Sequence, residues 1–482
     1  MALPRRGRPT LRAVTRGGVA DGAVLREVIV AGRPDTDAPL RIEGVRVNGT
    51  LDLSRCRLAG PIAFVDCVFE EPVRLEELEV AGLDLTGSTL PALYADRLVV
   101  NGELRLSDAR LGNGSEEPHP LRDPVVHAPR RVRENSATAV VRLADARVSG
   151  NLVAENLRLA GTGHWSLLAP RLSIGGSLHA RRLFASSALY LRDAHVTYTV
   201  MLEGADIGGL DATGLVSGGG LYADWGFSST GQVLLRAAEI GGVVTFHDSV
   251  LAEPAGALVL SRLRVPRLRV DLREPPAGAV VLTDAAVDVL VDSATTWPEP
   301  GHLRLEGLTY QRLETRLPVD VRSRIGWLTR DPQAGAGAFE QLAKAYEAAG
   351  DERSARTVRH ARERHIRRND GFTGRVWGAV QDVLFGYGYA PRRALLWLIG
   401  LVAAGSLWFA GHPPRPAGGS AQRAWDPVLY SLDLLVPIAS LGYRGSWDPA
   451  GADKAVAVFL IVAGWTLATA VIAGARRVLG RA

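Results

Sequence analysis

Between Leu40 and about Tyr310 an eight-residue pattern restarts every ten or eleven residues, and this beat constrains the fold more than any other feature. It reads Leu51-Asp-Leu53-Ser-Arg-Cys56-Arg-Leu58, then Leu104-Arg-Leu106-Ser-Asp-Ala109-Arg-Leu111, then Leu189-Tyr-Leu191-Arg-Asp-Ala194-His-Val196. A fixed repeat marks a solenoid, in which each unit buries its apolar face only by stacking on the next. Octads begin at Leu40, Leu51, Ile62, Val73, Leu83, Leu93 and Leu104, and resume at Val141, Leu152, Leu167, Leu178, Leu189 and Val200. They continue at Leu210, Leu221, Val233 and Val243, with weaker copies at Leu258, Leu268, Val280, Leu290 and Leu303.

Positions one and three of each octad are apolar, the period of a strand with one face inward. Positions six and eight are inward again, and a corner between them and position three accounts for the break in parity. Large and small residues alternate in two patterns, Leu189, Leu191, Ala194, Val196 and Leu152, Ala154, Leu157, Leu159, which fill a narrow interior without voids. Two octads make a coil of about 21 residues, so about eleven coils form a rod of roughly 50 Å. Amphipathic helices are excluded because the octads hold many β-branched residues and no sustained helical period. A leucine-rich repeat would need a recurring Asn, and Asn48, Asn101 and Asn151 fall out of register. Gly60, Gly82, Gly150 and Gly208 follow octads and are expected at turns needing φ > 0.

The small-x-large unit at each corner (Cys56-Arg-Leu58, Cys67-Val-Phe69, Ala205-Asp-Ile207) resembles the core of pentapeptide-repeat proteins. The resemblance implies a right-handed quadrilateral β-helix. The expected fold class is therefore an all-β solenoid, followed by an α-helical hairpin and a two-helix transmembrane region. Residues 1–39 form an N-terminal cap and entry. The solenoid covers 40–317 with an insertion at 112–137. A basic hairpin covers 332–370, and an interfacial helix 372–390. The membrane region covers 394–475, and 476–482 is a basic tail.

Charge divides along the same line. Residues 41–320 carry 28 Arg against 35 Asp plus Glu, and residues 321–482 carry 21 Lys plus Arg against 12 acidic residues. A basic tail beside apolar segments suits an anionic membrane surface. Cys56 and Cys67 occupy one octad position in successive repeats, so both are expected as buried thiols rather than a disulfide framework. Met1 to Arg16 is Arg-rich without an apolar run, which is not a signal peptide.

Ala394 to Ala410 and Ala455 to Ala475 are uncharged and apolar, and a membrane span needs about 20 such residues. Arg364, Arg367, Arg368, Arg392 and Arg393 precede the first run, and Arg476 and Arg477 follow the second. By the positive-inside bias both termini and the solenoid lie in the cytoplasm, on a multi-pass protein of the plasma membrane. The segment 426–443, with Asp433, Pro437, Ser440, Gly442 and Tyr443, is apolar but broken, which predicts a re-entrant or interfacial stretch. Ser440-Leu-Gly-Tyr443 resembles part of a potassium-channel filter, but Arg444 stands where the filter's second Gly belongs. Phe339 to about Arg368 reads as two helices broken at Gly350-Asp351, similar to one tetratricopeptide-type hairpin.

No dinucleotide, phosphate-loop, zinc-helix or nucleophile-elbow motif is present, so no catalytic, cofactor or metal residue is assigned. The Tyr-Ser-Leu-Asp-Leu-Leu-x-Pro loop before the last apolar run resembles that of actinobacterial proteins labelled membrane-associated oxidoreductases. That resemblance implies redox activity, for which the residues hold no cofactor signature. The two breaks in the beat are the expected partner surfaces, the insertion and Gly161 to Ser166, which is expected to expose His164 and Trp165. The leading expectation is a membrane-tethered cytoplasmic scaffold that binds an unknown protein, without nucleic acid. A homo-oligomer through the membrane region is allowed. The alternatives are a channel-like element regulated by the solenoid and a membrane-associated oxidoreductase.

Overall fold

The computed structural model describes residues 18–32, 39–112, 139–161, 163–293, 296–315, 319–331, 335–369, 391–417, 424–436 and 441–479. The insertion 112–137 beyond Gly112 and the expected interfacial helix 372–390 lie outside them. The chain forms two compact units, residues 1–351 and 352–482.

The first unit is a right-handed parallel β-solenoid whose coil has four walls. One circuit runs through Leu83–Asp84, Thr89–Leu90, Leu93–Tyr94 and Val99–Val100, one short strand per wall. Each strand pairs in parallel with its counterpart one coil on: Leu83 with Leu104, Leu93 with Val141, Leu152 with Leu178. The insertion after Gly112 falls between the second and third walls of one coil, and the stacking continues in register, since Leu104 pairs with Leu152. Toward the C-terminal end the corner between the fourth and first walls straightens. There Arg264–Asp271, Ala286–Asp292 and Thr309–Thr315 run through both walls and fuse them into one sheet.

Octad positions one, three, six and eight point inward as the alternation requires. Leu104, Leu106, Ala109 and Leu111 are all buried, as are Cys56 and Cys67. The corner differs from expectation. None of Gly60, Gly82, Gly150 or Gly208 has positive φ. The left-handed residue is instead the fifth of the octad, and it is usually not glycine. Among the described residues all fifteen positive-φ non-glycines, including Asp66, Asp108, Asn156, Asp193 and Ala237, occupy this position. Each such residue costs roughly 1–2 kcal/mol relative to a right-handed conformation. The cost is offset because its N–H reaches the next coil, as Asp66 N does to Thr86 O at 2.9 Å and Asp108 N to Glu155 O at 2.9 Å. Charged pairs line these corners, for example Arg171 with Asp145 at 2.6 Å and Arg273 with Asp248 at 3.0 Å. Their exposure leaves them little net stabilisation.

Both ends of the solenoid core are covered by helices. Helix α1 (Gly22–Gly32) buries Leu25 and Ile29. It is capped by Asp21, whose carboxylate accepts from the N–H groups of Ala23 and Val24. A Cβ at Gly22 would lie 2.6 Å from the Thr50 carbonyl oxygen, so the chain enters the helix only with glycine there. At the other end lie α2 (Val321–Leu328) and α3 (Ala336–Ala348). The side chain of Gln341 in α3 donates to Tyr310 O of the last coil.

The second unit holds α4 (Glu352–Asn369), α5 (Pro391–Gly411), α6 (Pro427–Leu435) and α7 (Ala452–Leu479). Phe409, Tyr430, Leu434, Leu435, Ala457 and Leu460 form the core shared by α5, α6 and α7. This unit corrects the sequence expectation. Among the described residues no helix is long and apolar enough to cross a membrane. α5 opens on Arg392 and Arg393, and α7 carries Asp453 and Lys454 in its first turn. The two-helix transmembrane region, the multi-pass plasma-membrane topology and oligomerisation through such a region are therefore not supported. The described helices do leave Ile399, Leu407, Phe459 and Val462 exposed.

The corner geometry makes a test. Ala237→Gly should leave the solenoid as stable or up to about 1 kcal/mol more stable, because the relieved strain outweighs glycine's unfolded-state entropy. Ala238→Gly, at the adjacent buried position, should lower the melting temperature. A melting temperature that falls equally for both variants would show that the left-handed corner carries no strain.

Candidate functional site

The expected site residues lie on separate elements of the two units. Arg364 is exposed on α4, and Arg367 and Arg368 follow in the same helix. Arg392 and Arg393 begin α5, and Arg476 and Arg477 lie in the last turns of α7. With no spanning helix described, their role as a lipid-facing set loses its basis. Asp433 is buried in α6, where its two carboxylate oxygens accept from Leu441 N and Arg444 N, each at 2.7 Å. It thus ties down the following loop, in which Gly442 has φ of 76° and Tyr443 packs on the unit's core. Pro437 and Ser440 lie outside the described residues. His164 is exposed, but Trp165 is buried, packed among Ala139, Leu168, Ala188 and Tyr190. It packs with Leu168 and Tyr190, second residues of their octads, and only the imidazole of this pair faces solvent.

A different cluster emerges from the register of the first wall. The fourth residue of successive octads points outward, and stacking places Glu155, Arg181, Glu203, Asp224, His247 and Asp271 in one column. The sequence hides the column because the octad at Val243 actually begins at Val244, which pairs with Leu221. Shifting by one residue moves His247 from the corner into the column. The recurrence of ionisable residues at position four was the signal available.

Within the column the groups are coupled. Arg181 stands 3.4 Å from both Glu155 and Glu203. His247 Nδ1 lies 3.0 Å from Asp271 Oδ2, and Arg269 donates to the same carboxylate at 3.2 Å. Burial alone would raise the Asp271 carboxyl, but hydrogen bonds from Arg269, Ser293 and His247 outweigh it and hold the group below its ordinary range. Asp224 shows the opposite balance. It is buried, its Oδ1 has no hydrogen-bond partner, and burial together with the Glu203 charge pushes its carboxyl up. Two carboxyls two coils apart are thus driven in opposite directions, the arrangement from which acid and base roles are drawn.

Trp225 completes the cluster. It occupies the left-handed corner with φ of 50°, where the other coils place Asp, Asn, Arg, Glu, Ala or Gly, and it is 67% exposed. Its ring meets the His247 imidazole edge-on, with centroids 5.1 Å apart. Tyr198, 61% exposed, stands before the strand of the preceding coil, at the other margin of the same wall. Among the described residues no group of three or more His, Cys, Asp or Glu side chains could hold a metal ion.

The opposed shifts give a signed pH dependence. Asp224's raised carboxyl destabilises the fold as pH climbs from its unfolded value through its folded one; Asp271's lowered carboxyl stabilises above its unfolded value and loses this in acid. The melting-temperature difference between Asp224→Asn and the parent should therefore grow more positive from pH 4 to pH 7.5. Asp271→Asn should cost more stability at pH 7 than at pH 3. Differences that do not move with pH would remove both assignments.

No protein-family model, no curated protein and no solved structure matches the chain. The resemblances to pentapeptide-repeat proteins and to actinobacterial proteins labelled oxidoreductases are therefore not backed by any relative, and what stands is the right-handed β-solenoid itself.

Proposed function

We propose that the first wall of the solenoid, between Val200 and Asp271, binds a hydroxyl-rich ligand of the carbohydrate type. The observation that carries this reading is Trp225. A bulky aromatic in a left-handed corner bears backbone strain, and an exposed indole forgoes the burial that normally offsets its apolar area. Both costs recur at sites where strain is kept for a task. A flat indole face matches the C–H face of a pyranose ring. Beside it the carboxylates of Glu203 and Asp271 and the guanidinium of Arg269 offer the planar, paired hydrogen-bonding groups that hydroxyls engage. The regular spacing of coils repeats the wall at about 4.8 Å, so an extended chain can run along it.

The experiment is a glycan array on the full chain, followed by titration calorimetry with the retained sugar. Trp225→Ala should weaken binding at least about tenfold, the scale of one lost aromatic contact. Its melting temperature should not fall, because the side chain is exposed. Retention of no glycan, or equal affinity in the variant, would remove the proposal.

A further inference from the structure

We infer that Asp292, Arg324 and the cavity beside them form a proton-operated latch between the last coils of the solenoid and the cap helices α2 and α3, held tighter in acid than in base. Asp292 occupies an inward octad position. The residue beneath it in the register is Val270, and the same column holds Phe246 and Ala223. A carboxyl has thus replaced an apolar side chain in the core, and it is fully buried. Such a replacement is unfavourable unless a partner reaches it.

The partner comes from the cap. Arg324 of α2 is buried, and its guanidinium carbon lies 6.0 Å from the Trp327 ring and 5.8 Å from the Tyr346 ring. Contact with Asp292 is incomplete. The nearest nitrogen is 3.9 Å from Asp292 Oδ1, which forms no hydrogen bond, and Arg324 Nε forms none either. Among the described residues the other carboxyl oxygen accepts the Trp297 indole N–H, at 3.4 Å. A cavity of about 30 Å³ lies here, lined by Asp292, Tyr310 and Arg324 among apolar side chains. That volume suits one or two water molecules, and a separation beyond hydrogen-bond reach is one that water bridges.

The groups facing Asp292 are one cation and two phenols, Arg324 from α2, Tyr310 from the last coil and Tyr346 from α3. Burial raises both phenols, which stay neutral across the physiological range. Asp331, also buried here, accepts from Leu305 N at 2.8 Å and has Arg304 at 4.0 Å. Burial pushes the Asp292 carboxyl from 3.8 up to about 7, against the opposing pull of Arg324. Between those values the folded chain binds a proton that the unfolded chain does not. Stability of the capped end therefore falls as pH rises through that window. Above it, a buried carboxylate faces a guanidinium across a gap, with desolvation only partly repaid.

The test is hydrogen exchange of the full chain at pH 5 and pH 8, corrected for intrinsic exchange, reading the amides of α2 and α3. Opening should rise with pH, by up to about tenfold per unit below the midpoint, and should be flat in Asp292→Asn. Arg324→Gln removes the opposing charge, so it should move the midpoint of the rise to higher pH. In the parent protein, difference infrared spectra should show a protonated carboxyl band disappearing between pH 6 and pH 8. Exchange that ignores pH, a pH response that survives Asp292→Asn, or the absence of that band would overturn the latch.

Discussion

The hydrogen bond between one coil and the next, made by a residue held in the left-handed conformation at each corner, is the interaction on which the solenoid depends. Strands of two residues are too short to be stable alone, and a corner without a partner would only store strain. Stacked in register, each corner N–H finds a carbonyl one coil away, as Arg55 finds Glu76 and Asp145 finds Pro170. The same stacking brings inward side chains such as Leu104 and Leu152 into contact and outward ones into columns.

The candidate site is a by-product of that stacking. No two of Glu203, Asp224, His247 and Asp271 are close in sequence, yet the coil spacing brings each beside the next. The interior of the wall is regular and uninformative. The outer face differs from coil to coil because solvent imposes no packing rule on it, and there a strained, exposed Trp225 and an unpartnered Asp224 oxygen coincide. Asp292 is a third departure, a carboxyl in the apolar interior where the solenoid meets its cap.

Much of the solenoid was legible in the sequence because an inward side chain every second residue is a local rule. The starts at Leu83, Leu93 and Leu104 are strand starts in the structure. The corner was not legible because positive φ in isolated residues points to glycine, whereas stacking across coils makes Asp108, Arg171 and Ala237 adopt that conformation. Trp165 was expected outside because it follows a break in the beat; it is instead covered by Ala139, Leu168, Ala188 and Tyr190 of neighbouring coils. The membrane expectation rested on runs of apolar residues. Apolarity alone does not distinguish a span from a buried bundle core, and Phe409, Leu435 and Leu460 bury one another.

The sequence by itself determined a stacked coil of short strands, its C-terminal limit near Tyr310, the inward placement of Cys56 and Cys67, and a helical segment beyond. Each follows from the periodicity of neighbours along the chain. Only the tertiary structure decided which outward residues share a column, that the octad near Val243 slips by one, and that Asp292 meets Arg324. These depend on the residue count of every intervening coil, which is 20 between Val73 and Leu93, 26 between Leu152 and Leu178 and 48 between Leu104 and Leu152. A single residue more or less changes which side chains meet, and that sum exists only once the chain has closed on itself.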